Sequence, residues 1–246
     1  MVDNGTPDLF EGQDPPPREK YVLGQGFLRK PTYCKGVLPD ERMWAPELDR
    51  RPQNTNGRIW IDRNVVFGIA KRAIAELDDP WAATQLHAAL TFWGAPPGLS
   101  TTRAAKPLFD QHISSRLTQA IKVVRGEGPA SAYKALSRNQ RLWISGLGPS
   151  YFTKLMYFAG YGAKPYISQP LIMDDNVIAG LVKVTDQPWQ ASLADYIRYI
   201  DLVKDWAYEF DTEPDVIERR LFDIGADRKW SGHGQDRGNL SVGPRR

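Results

Sequence analysis

From Asn64 onward, apolar residues recur mostly at three- and four-residue steps, the period of a helix with one buried face. Val65, Val66, Ile69, Ala73, Ile74 and Leu77 mark a first helix, and Asn64 is placed to cap it. Asp79-Pro80-Trp81 sets an acidic cap and an early proline before a second helix, which runs through Leu86, Leu90 and Phe92 to Gly94. Ala95-Pro96-Pro97-Gly98 breaks the pattern, and the polar stretch 100–106 reads as a loop carrying Arg103 and Lys106. A third helix is expected over 107–124, with Phe109, Ile113, Leu117 and Ile121 on one face. Pro129 opens a short fourth helix that ends at Leu136. Further helices are expected over 137–144, 150–159, 175–184, 189–210 and 215–224.

The first 60 residues lack this rhythm. Positions 1–20 are polar and proline-rich, with Pro15, Pro16 and Pro17 in a row, and read as a flexible lead-in. Positions 21–60 form an irregular segment expected to pack on the body. Short extended pieces near 21–28 and 58–61 do not amount to a predicted sheet. A helical body over 61–228 and a basic, disordered tail over 229–246 complete the layout. The expected fold class is all-α, with an irregular N-terminal extension.

Composition narrows the function only a little. A 41% hydrophobic, 25% charged chain of 246 residues is long enough to bury a sizeable core. Its net charge of +3 permits nucleic-acid binding without arguing for it. The single cysteine, Cys34, forms no internal disulfide and suits a reducing compartment. Three scattered histidines and one cysteine offer no zinc site, and no cofactor motif is found. Gly24-Gln25-Gly26 lacks the third glycine of a dinucleotide loop. His87, set among Leu86, Ala88, Ala89 and Leu90, reads as a core or half-buried histidine. With no apolar run of membrane-spanning length and no signal peptide, a cytoplasmic, monomeric protein is expected.

The informative stretch is 137–177. Ile144-Ser145-Gly146-Leu147-Gly148-Pro149 is a tight turn leading into a helix. Gly146 and Gly148 would accept the positive φ angles of a close hairpin, and Pro149 suits the first helical position. The amides of Gly148 and Ser150 would then face outward at a helix N-terminus, where a phosphate can bind. A loop follows, and Met173-Asp174-Asp175-Asn176-Val177 starts the next helix. On the turn alone, an ordinary helical hairpin and a DNA-binding one stand level.

This segment resembles the helix-hairpin-helix and following aspartate of base-excision DNA glycosylases. It is most similar to the 8-oxoguanine DNA glycosylase (OGG) fold of the helix-hairpin-helix–GPD superfamily. The resemblance implies two helical subdomains with the hairpin and the aspartate lining a cleft, and duplex DNA as partner. It also implies that Gly146, Gly148 and Ser150 contact DNA and that Asp174 is the catalytic carboxylate. The iron–sulfur cluster of some superfamily members is excluded, because it needs four cysteines. Two features depart from the pattern. The bifunctional members carry a catalytic lysine two residues after the second hairpin glycine, where this chain has Ser150. The candidate amine is Lys154, one helical turn later, and Asp174 lies 26 positions beyond Gly148.

Cleaving an N-glycosidic bond builds positive charge on the sugar, and a nearby carboxylate stabilises it. Asp174 can fill that role and also cap its helix. Lys154 would be a Schiff-base nucleophile, or else a surface or phosphate-binding lysine. If Ser150 stands in for the family lysine, water attacks and the strand is not cut. Three readings follow: a glycosylase acting on a damaged purine such as 8-oxoguanine, a non-catalytic helix-hairpin-helix DNA-binding protein, and a helical scaffold.

Overall fold

The computed structural model describes residues 6–96, 98–163 and 168–228. The tail over 229–246 lies outside the described residues. The fold is all-α with one small sheet. Helices α1 (Pro31–Gly36) and α2 (Pro46–Asp49) are short. The body is α3 (Arg63–Ala75), α4 (Ala82–Gly94), α5 (Leu99–Ala105), α6 (Ile113–Gly126), α7 (Pro129–Leu136), α8 (Pro149–Gly160), α9 (Asp175–Thr185), α10 (Leu193–Glu209) and α11 (Pro214–Gly225).

The sheet was not foreseen as such. Strand β1 (Gly26–Arg29) pairs antiparallel with β2 (Ile59–Asp62), Gly26 opposite Asp62 and Arg29 opposite Ile59. Some thirty residues separate the strands, so no hairpin turn announces the pairing. Gly26 is required there, because a β-carbon would fall 2.8 Å from the Asp62 Cα.

Caps decide several boundaries. The cap of α3 is Asp62, not Asn64: its carboxylate accepts from the Val65 amide at 2.8 Å. Asp79 accepts from the Trp81 amide at 2.9 Å, and α4 starts just after, at Ala82. The segment 100–106, expected as a loop, is largely helical, as α5 and a 3-10 turn at Lys106–Phe109. Helix α6 therefore begins at Ile113, and Phe109 is 65% exposed rather than on its buried face. Ser192 caps α10 through the Asp195 amide, so that helix starts at Leu193.

Two close approaches fix the far side of the body. Helices α9 and α11 cross at Gly180 and Gly225, where a β-carbon would collide with the Leu221 and Asn176 carbonyls respectively. In the part of the lead-in that is described, Leu9 and Phe10 are buried, and Phe10 meets Phe210 edge-on at 5.2 Å. Arg18 reaches Asp215 on α11, and Tyr21 donates to Asp223 there. Residues 9–23 are thus tied to the body at these points rather than free.

Candidate active site

Helix α8 carries the amine. A lysine in a helix points back toward the N-terminus, and its reach covers about one 5.4 Å turn. The Lys154 Nζ accordingly lies 2.8 Å from the Ser150 carbonyl, level with the first turn of the helix. The Lys154 residue is only 5% exposed. Gly94, the last residue of α4, makes room for its stem: a β-carbon there would sit 3.0 Å from Cε. The Tyr151 ring flanks the ammonium at 5.4 Å.

Asp174 closes the site. Its Oδ2 accepts from Lys154 Nζ at 2.9 Å, and its Oδ1 accepts from the Val177 amide at 3.2 Å, capping α9. One side chain therefore meets the lysine and caps the helix at the same time. Burial pushes the carboxyl up, but Lys154 beside it, the Val177 amide and the more distant Arg63 outweigh this and hold it below its ordinary range. Asp174 is ionised at neutral pH. Asp175, the neighbour most easily mistaken for it, is exposed.

The segment that delivers Asp174 is clamped by hydroxyls. Tyr199 donates to the Ile172 carbonyl at 2.9 Å. Tyr196 faces the Leu171 amide and carbonyl at 3.3 Å. The Thr153 hydroxyl donates to the Pro149 carbonyl at 2.7 Å and accepts from the Met173 amide at 3.1 Å. Thr153 therefore links the first residue of α8 to the residue before Asp174.

The turn ahead of α8 differs from the expected helical entry. No helix covers 137–144; the partner helix of the hairpin is α7, which ends at Leu136. Ser137 stops it by turning its hydroxyl back to the Tyr133 carbonyl, and Asn139 takes a φ of +64°. The four residues Arg138, Asn139, Gln140 and Arg141 are all exposed, so no apolar stripe holds a helix there. Of the two hairpin glycines, Gly146, at φ +82°, uses the left-handed region. Gly148 sits at φ −85°, ψ 175°, an extended geometry open to any residue.

Nothing inside the protein requires glycine at 148. A β-carbon there meets no atom within 4 Å, and the residue is exposed. As the α8 cap it provides no side-chain acceptor. The Tyr151 and Phe152 amides both turn to its carbonyl, and the Ser150 amide, in the first turn, has no acceptor within the helix. Lys106 borders the turn: a β-carbon on Gly146 would lie 3.9 Å from the Lys106 Cβ. No ion pair to Lys106 occurs among the described residues. Gly146, Gly148 and Ser150 thus form one surface at the start of the helix whose next turn holds Lys154.

A buried charge network backs the site. Arg63 donates to Glu218 at 2.6 Å and to Gln25 at 2.7 Å, with both partners of the ion pair fully enclosed. Tyr157 donates to Asp215 at 2.7 Å, and Arg18 pairs with the same carboxylate. Arg29 caps α4 by donating to the Phe92 and Ala95 carbonyls. Periodicity finds the buried helix faces but not these pairings, whose partners are from 38 to 197 residues apart.

The hairpin thus leads by one helix to a buried lysine–aspartate pair within a helical body. The family model "Putative 8-oxoguanine DNA glycosylase OGG-like protein" matches residues 20–222, and the chain belongs to this family. No curated protein and no solved structure matches the chain.

Proposed function

We propose that the protein is a DNA glycosylase that releases a damaged purine, 8-oxoguanine or a relative of it, from duplex DNA. The observation that carries this reading is the 2.9 Å contact of Asp174, the cap of α9, with Lys154 on the helix that starts at the hairpin. The exposed Gly146–Ser150 turn takes the backbone of the strand, with Gly148 allowing close approach and the Ser150 amide facing a phosphate. The target nucleotide leaves the stack so that its C1′ can reach the buried pair.

In this reading the Lys154 nitrogen forms a bond to C1′ as the bond from C1′ to the base nitrogen breaks. The base takes that electron pair and is protonated, accepting the proton that Lys154 sheds. Asp174, kept ionised, stabilises the positive charge that develops on the sugar. Opening of the sugar gives a Schiff base, from which the strand can be cut. Lys154's position at the level of Ser150 supports the amine over water as nucleophile.

Duplex oligonucleotides carrying 8-oxoguanine, uracil or an alkylated purine test this directly. Base release on the 8-oxoguanine duplex is expected, reduced about 10²–10⁴-fold in Asp174→Asn. Borohydride should trap a covalent complex with the wild type and none with Lys154→Ala. Base release without trapping would replace the amine by water, and no release from any of the three duplexes would overturn the assignment.

A further inference from the structure

A recess opens between β1, α1 and the start of α5. Its volume is about 270 Å³, just under the range of ~300–1,000 Å³ common for small-molecule pockets. Leu28, Lys30, Tyr33 and Arg58 line its mouth and walls, and Arg29 and Cys34 its floor. Three of these residues are cations and none is a carboxylate. No ion pair to Lys30 or Arg58 occurs among the described residues. Tyr33 and Leu28 are 40% and 39% exposed, so both present apolar surface to solvent.

The aromatic wall is held in place. The Tyr33 hydroxyl donates to the Gly98 carbonyl at 2.9 Å, and Thr101 donates to the Pro96 carbonyl at 2.8 Å. Cys34 is buried, which pushes its thiol up to about 11, so the floor holds a neutral thiol and not an anion. The end of α4 touches both sites: Gly94 packs on Lys154, and the Ala95 carbonyl accepts from Arg29 at 2.9 Å.

A fixed aromatic face beside unpaired cations is the chemistry that receives a nucleotide outside a duplex, where the base stacks and the phosphate meets positive charge. We propose that this recess binds one unpaired nucleotide, its ring against Tyr33 and Leu28 and its phosphate facing Lys30 and Arg58. The proposal rests on the nucleic-acid reading above and gives that reading a place for a displaced nucleotide. The same chemistry would admit a nucleotide within a strand or a free one.

Fluorescence anisotropy with three probes separates these possibilities: a short paired duplex, the same duplex with one unpaired nucleotide, and free dGMP as competitor. The wild type should prefer the unpaired-nucleotide duplex. Tyr33→Ala should remove about tenfold of that affinity, and the Lys30→Gln/Arg58→Gln double variant a similar factor. Affinity for the paired duplex should hold. Tyr33→Phe, which keeps the ring, should retain the preference and guards against loss of folding. Competition by dGMP assigns free nucleotides as well, and its failure confines the site to strand nucleotides; either result upholds the recess. Equal weakening on both duplexes would reduce Lys30 and Arg58 to ordinary backbone contacts, and no change would remove the site; either overturns the proposal. Base release is scored in the same samples. A preference that survives without any base release would sink the glycosylase reading and leave the recess standing.

Discussion

At the scale of single residues, burial without a partner is as telling as the Lys154–Asp174 pair. His87 lies fully enclosed in α4, and among the described residues neither ring nitrogen has a hydrogen-bond partner. It is a core histidine, as its apolar neighbours indicate, but not a satisfied one. Burial pushes it down to about 4, so the fold holds it neutral. The sign of the linkage follows. Above about pH 6.5 the ring is neutral in both folded and unfolded chains, and it costs nothing further. As pH falls from there to about 4, the unfolded chain takes up a proton that the folded chain refuses, and stability is lost. The full effect is on the order of 3 kcal/mol. Urea midpoints of wild type and His87→Leu, compared from pH 7.5 to 4, should diverge in favour of the variant as pH falls. Parallel curves would show that the ring finds a partner or a proton in the fold.

At the scale of elements, one hydroxyl joins the two halves of the site. Thr153 bonds the Pro149 carbonyl at the hairpin end of α8 and the Met173 amide next to Asp174. It touches neither Lys154 Nζ nor the Asp174 carboxylate by any described hydrogen bond, so its role is to position them. Thr153→Val keeps the shape and leaves the buried Met173 amide unpaired, a loss of about 1–3 kcal/mol. On the proposed activity, kcat for base release should fall roughly tenfold or more, with duplex affinity unchanged. Thr153→Ser should restore it. An unimpaired valine variant would rule out the link. The sequence showed the helices that meet here and the two charged residues, because helix period and side-chain direction are local properties. Lys154 could be placed one turn after Ser150 for that reason. It did not show Thr153, Tyr199 or Arg29 as supports, since their partners are backbone carbonyls and a backbone amide reached only through tertiary packing. The helix expected over 137–144 failed for the complementary reason: its polar run Arg138–Arg141 offers no face to bury, and Ser137 bonds backward instead.

At the scale of the whole molecule, the N-terminal segment completes the body around buried charge. Asp215 on α11 is fully buried: the Tyr157 hydroxyl from α8 donates to it, the Tyr161 phenol also bonds it, and Arg18 donates three bonds of 2.6–2.9 Å. The proline-rich composition ahead of residue 20 hid this, because proline limits helix formation without preventing Leu9, Phe10 and Arg18 from docking individually. Removing Arg18 leaves a carboxylate in the interior with phenols but no cation to meet it. Arg18→Ala should therefore destabilise the fold by about 3 kcal/mol. Arg18→Ala/Asp215→Asn, which removes the stranded charge, should recover much of that loss. Both numbers come from urea unfolding of the full chain. If the single variant unfolds at the wild-type midpoint, Arg18 is a surface contact and α11 carries its own charge balance. If it is destabilised but the double variant recovers nothing, the staple works through packing of Arg18 against Phe67 and Tyr161, whose rings lie 5.9 and 5.0 Å from its guanidinium, rather than through charge.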